Sequence, residues 1–150
     1  MTAGLIGILG LTLLLAPCVV LDLREKKLPV IWLLLFLPVS FAVNLLVQRV
    51  SLWAMIFGVL YGGLFLCISL AAKGSIGFGD GIMIGSAGAL QGGMFVLMSS
   101  AAGFLFAGVF GLIYIKVKKL DRKTRLPFAP FFAAACLLLS VPELFTGGTG

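Results

Sequence analysis

This sequence predicts an all-α membrane protein: a polytopic bundle of about six transmembrane helices, the fourth of them short. Three observations predict it. Hydrophobic residues make up 61% of the 150, charged residues only 11%, and mean hydropathy is +1.23; a soluble helical domain keeps polar faces that this chain lacks. Five apolar runs approach the ~20 residues that a helical span requires. The basic residues, finally, fall in a pattern that an even number of spans explains. No polar stretch is long enough to fold separately, so residues 1–150 read as a single transmembrane domain.

The spans fall near residues 4–21, 29–47, 52–72, 94–115 and 127–141. Between the third and the next long one lies a shorter apolar segment, 82–90, closed by Gln91-Gly92-Gly93 and counted as the sixth helix. From Asp80 to Gly92 the rise is about 18 Å, short of a ~30 Å hydrocarbon core. Either Asp80 or the Gly92-Gly93 turn therefore lies below the membrane surface, where irregular backbone needs protein or a water-filled cavity around it. Pro29, Pro127 and Pro130 sit at helix starts, where a missing N–H does no harm, whereas Pro38 lies inside the second span and is expected to kink it. The first span has no basic residue before it and no small-x-small cleavage site, which argues against a secretory signal.

With six spans, every one of the 11 Lys and Arg except Arg49 lies on one side. These are Arg24, Lys26 and Lys27 after span one, Lys73 before Asp80, and the run from Lys116 to Arg125 after span five. The positive-inside rule makes that side cytoplasmic and both termini external, as in a multi-pass protein of the cytoplasmic (inner) membrane. The net charge of +6 is accounted for by topology and contact with the lipid bilayer, so nucleic-acid binding is not indicated.

Few chemistries remain. The chain has no histidine, which excludes Ser-His and Cys-His nucleophile systems and the usual zinc hydrolases. Cys18, Cys67 and Cys136 stand far apart inside apolar stretches and read as buried small hydrophobes, with no C-x-x-C pair. No metal and no other cofactor is expected. Among only five acidic residues, Glu25 and Asp121 lie in basic surroundings and read as solvated ion pairs, and Glu143 lies just past the last span. That leaves Asp22 and Asp80, one ending helix one and the other starting the short helix four, both on the cytoplasmic side. Acids kept at a membrane boundary point to function. Two carboxylates brought within a few ångströms share a proton, so one can act as base and the other as acid. Gly77 and Gly79, in Gly77-Phe-Gly-Asp80, are read as turn glycines that let a substrate strand lie close. The ordinary alternatives are that Asp80 caps helix four and that Asp22 pairs with Arg24, Lys26 or Lys27.

Three motifs, in order, span almost the whole chain. Asp22-Leu-Arg-Glu-Lys-Lys-Leu28-Pro29 resembles the aspartate, basic turn and Ile-Pro signature of the type IV prepilin peptidases, a family of GxGD membrane aspartyl proteases. Gly77-Phe-Gly-Asp80 with Ile84-Gly85-Ser-Ala-Gly88-Ala-Leu90 resembles their second signature. Leu126-Pro-Phe-Ala129-Pro-Phe131 resembles the Ile-Pro-Phe-Gly-Pro-Phe that opens their last helix. The resemblance implies an aspartic endopeptidase that removes the leader of prepilin-like proteins at the cytoplasmic membrane face, with Asp22 and Asp80 as the catalytic pair. It is to the short, peptidase-only form, since the cysteine-containing insertion of the longer, methylating relatives is absent. The chain departs from the family at Val30, where Asn or Asp is frequent, at Ile82, where Lys is usual, and at Ala129, where Gly is usual. Two other readings stand beside it: a non-catalytic membrane subunit of pilus or secretion assembly, which Ile82 favours, and a small proton-coupled carrier.

Overall fold

The computed structural model describes residues 2–25, 28–48, 50–71, 77–118 and 127–146. They form six helices: α1 (Thr2–Glu25), α2 (Val30–Val43, continued by a π-helical segment Asn44–Gln48), α3 (Leu52–Ala71), α4 (Phe78–Gln91), α5 (Gly93–Lys118) and α6 (Ala129–Thr146). Four stretches are long and apolar enough to cross a membrane, namely Leu5–Glu25, Val30–Val47, Leu52–Ala71 and Gly93–Tyr114; α6 adds the shorter apolar stretch Ala129–Pro142. The all-α membrane bundle is thus the architecture of the chain, and the short fourth helix is its centre.

Burial makes α4 central. Gly79 and every residue from Gly81 to Leu90 are buried. Large exposed hydrophobics stud α1, α2, α3, α5 and α6, whereas α4 shows only Phe78. Such an outer surface is at home in lipid and costly in water. The core is gathered around α4: Met83, Ile84 and Leu90 pack with Leu11 and Leu14 of α1, Leu33 of α2, Val96 of α5 and Phe132 of α6. Ile82, where the resembling family has lysine, is part of this apolar cluster. A charge there would be buried at the cost of several kcal/mol unless paired.

Glycines dictate how close α3 and α4 come. A Cβ on Gly58 would lie 2.6 Å from the Gly88 carbonyl oxygen, and one on Gly62 would collide with the Gly85 backbone. Gly81 in turn abuts Leu66. The pairs 58/88, 62/85 and 66/81 describe an antiparallel register with backbone against backbone, the small-xxx-small contact by which helices associate without a hydrophobic driving force. The same register sets depth. Asp80 stands about level with Cys67, roughly 6 Å short of Ala71 along α3, and Gly93, packed against Phe57 and Gly58, lies about 8 Å in from Leu52. Asp80 is therefore recessed relative to the described end of α3, while the Gly92 turn lies beside Val50 and Ala54 at the start of α3.

The far end is closed by two devices. Gly92 adopts φ +90, a conformation that side chains disfavour, and turns the chain from α4 into α5 within one residue. Asn44, fully buried in the π-helical segment, donates from Nδ2 to the Ala89 carbonyl (3.0 Å) and accepts from the Val50 amide (3.3 Å). It satisfies backbone groups that would otherwise be orphaned in a dry interior.

Sequence expectation and structure differ at the helix ends. α4 begins at Phe78, ahead of Asp80, so Gly79 is helical rather than a turn residue, and α6 begins at Ala129, after Pro127. Pro17 and Pro142 lie inside α1 and α6, as Pro38 does inside α2; the span expected over 4–21 contains Pro17, whereas Pro142 falls one residue past the last expected span. Lys26, Lys27, Arg49, Lys73, residues 119–126 and thus Asp121 lie outside the described residues, and the expected charge asymmetry rests largely on them.

The α3–α4 contact yields a paired test. Gly62→Ala forces two backbones apart and should destabilise the bundle by at least ~1–3 kcal/mol. Gly63→Ala, one position along, meets nothing within 4 Å and should be neutral or stabilising by up to about 1 kcal/mol. Unfolding of the detergent-solubilised variants measures both.

Candidate functional site

The register that centres α4 also aligns it with α1. At the far end, a Cβ on Gly10 of α1 would touch the Leu90 side chain at 3.0 Å. Both helices then run antiparallel for about ten residues and bring Asp22, in the last turn of α1, to the level of Asp80, in the first turn of α4. The two carboxylates interact electrostatically, and both act on the buried thiol of Cys18, one helical turn before Asp22. Residues separated by two intervening helices thus share one end of the bundle.

Asp22 is 8% exposed and is held from a third direction. Its Oδ2 accepts a hydrogen bond of 2.9 Å from the Ala129 amide, and the Phe128 amide bonds to the same carboxylate. These are the first free N–H groups of α6, so Asp22 serves as an N-terminal cap supplied by another helix. Such groups lack intrahelical partners, and the positive end of the helix dipole favours an anion there. The local sequence explains why the amides are free. Phe128 is the residue before the helix, and its carbonyl already accepts from the Phe131 and Phe132 amides at 3.1 Å each. Pro130, in the first turn, has no N–H to present.

Asp80 is built differently. Gly77 precedes α4 in extended conformation (φ −63, ψ 124), and the Asp80 amide donates to its carbonyl at 3.0 Å. The Asp80 carboxylate folds back over Gly77, whose own amide bonds to it; this is one half of a capping box, the other half being missing because Gly77 has no side chain. The capping role read as an alternative for Asp80 is therefore present together with its proximity to Asp22.

The glycines act by their size. Gly77 has an ordinary φ, so freedom of the backbone is not its purpose; a Cβ there would come within 2.6 Å of Asp80 Oδ2. Gly79 is buried, and the space before it is taken by Leu28, whose Cβ would lie 2.5 Å from an added Cβ. This corrects the expectation for Gly79: the partner that needs its missing side chain is Leu28 of the same chain, and a substrate strand has no room against it. Gly77 remains exposed at the mouth.

Aromatic rings back the site. Phe65 of α3 stacks on Phe104 of α5 (5.4 Å between centroids), Phe104 on Phe128 (4.5 Å), and Phe128 leans on Phe132 (5.8 Å). Cys18, Leu28, Phe128 and the Ala129 amide were not singled out from the sequence as parts of the site. The four-residue spacing from Cys18 to Asp22 on one helix carries a legible signal; nothing in the local sequence links Ala129 to Asp22. No group of three or more His, Cys, Asp or Glu with metal-binding geometry occurs among the described residues. Comparison with protein-family models, with curated proteins and with solved structures gives no match for this chain.

The tie from Asp22 to α6 separates two substitutions. Asp22→Asn keeps an oxygen for the Ala129 amide and should lower stability little. Asp22→Ala leaves buried amides unpaired and should cost about 1.5–3 kcal/mol, read from unfolding of the purified variants in detergent.

Proposed function

We propose that the chain is a membrane aspartic endopeptidase that removes the leader peptide of type IV prepilin-like proteins at the cytoplasmic face of the inner membrane. The observation that carries this reading is the meeting of Asp22 and Asp80 at one recessed end of the bundle, aligned by antiparallel packing of α1 and α4. The three motif resemblances supply the substrate class. The paired acids alone would not, since they also suit a proton path.

The chemistry needs nothing beyond the pair and a water. The ionised carboxylate removes a proton from the water as its oxygen attacks the scissile carbonyl carbon. The protonated carboxyl gives its proton to the carbonyl oxygen, forming a neutral gem-diol. Collapse of that intermediate breaks the C–N bond and places a proton on the departing amine, which restores the pair. A recessed setting strengthens each of these transfers. In this account the N- and C-termini lie outside and the pair opens toward the cytoplasm.

Co-expression with candidate prepilins, followed by mass measurement of their N-termini, tests the activity. The wild-type chain should remove the leader and leave an unmodified α-amino group. Asp22→Asn and Asp80→Asn should each reduce cleavage by at least about 10³-fold while still accumulating in the membrane, the scale of loss when a group essential to an acid–base mechanism is removed. EDTA should leave the purified enzyme active. Uncleaved precursors with the wild-type chain, or normal cleavage by either variant, would overturn the reading.

A further inference from the structure

The two acids are not equivalent, and the difference comes from the start of α6. Asp22 receives two amides, from Phe128 and Ala129, at the positive end of a helix that is not its own. Asp80 receives one, from Gly77, within its own helix cap. Amide donors and a helix N-terminus stabilise the charged form of a carboxylate.

Resting on the peptidase reading, we propose that the first turn of α6 is the positioning element of the pair: it holds Asp22 as the charged base, leaving Asp80 as the member that carries the shared proton. Phe128 is the positioning residue whose side chain makes this possible. Its ring is gripped between Phe104 and Phe132, which fixes the peptide that follows it. Gly103 of α5 allows the approach, since a Cβ there would lie 3.1 Å from Phe132 Cα and 3.6 Å from the Phe128 ring. The aromatic column from Phe65 through Phe104 to Phe128 thereby ties α3, α5 and α6 to the orientation of one carboxylate on α1. The Leu126–Phe131 motif acquires a physical purpose: Pro127 and Pro130 bracket the two residues whose amides face Asp22, and the phenylalanines lock them.

The test is kinetic and uses the full chain in detergent with a prepilin that the wild-type enzyme cleaves. Ala129→Pro removes the amide at a first helical position, where proline is well tolerated. It should lower kcat on the order of 100-fold, the scale expected when a reacting group is displaced by about 1 Å, with KM unchanged. Ala129→Gly keeps the amide and should recover most of the rate. Phe128→Ala should lower kcat in the same sense, and Phe128→Tyr, which preserves the ring stack, should restore it; this second pair decides the matter if Ala129→Pro fails to accumulate. Undiminished kcat in Ala129→Pro, or in Phe128→Ala, would overturn the positioning role while leaving the peptidase reading intact. A rise in KM alone would overturn it as well, by marking the segment as substrate-binding. Absence of cleavage by the wild-type chain would overturn the peptidase reading and this inference with it.

Discussion

The backbone contact between α3 and α4 is the constraint on which the rest depends. Gly58 and Gly62 on one helix and Gly85 and Gly88 on the other leave no side chain between the two backbones, and α4 can therefore sit in the middle of the bundle. In lipid, apolar surface gives helices no reason to associate, so this steric fit and its dispersion contacts must supply the attraction. A central α4 brings Asp80 inward of the bundle end, makes room for α1 to pack antiparallel to it, and places Asp22 opposite. Widening the contact by one methyl group would shift the depth of one acid against the other.

A second layer of constraint protects the charge. A buried carboxylate costs several kcal/mol unless its oxygens are occupied. Among the described residues helix ends meet that cost: α6 caps Asp22, and the first turn of α4 holds Asp80. Amide donors neutralise nothing outright, so the acids keep the capacity to exchange a proton, which a tight lysine or arginine pair would suppress. Ile82 fits the same design, since that position belongs to the apolar core.

Much of this was legible in the residues, and the reasons are physical. Composition and the lengths of apolar runs fix the helix count, because bilayer thickness is a hard ruler. The separation of Asp22 and Asp80 by helices that must alternate direction places both at one end before any coordinate is known. What failed was local. Gly79 reads as a turn glycine, but its Cβ is excluded by Leu28, a contact from a distant segment with no mark in the sequence. The pairing of Gly58-x-x-x-Gly62 with Gly85 and Gly88 follows a recognisable spacing, yet the partner helix cannot be chosen from spacing alone. The Ala129 amide could not be read at all, since a backbone N–H carries no residue identity.

The most direct measurement of the central claim, that the fold brings the two acids into one pair, needs no substrate. With Cys18, Cys67 and Cys136 replaced, cysteines at positions 22 and 80 would be treated with a short bifunctional thiol reagent in membranes, and the chain then cleaved between α1 and α2. The two fragments should stay covalently joined, whereas a control pairing position 22 with position 63, on the open face of α3, should separate. Fragments that separate in the 22/80 variant, in protein that is inserted and folded, would contradict it.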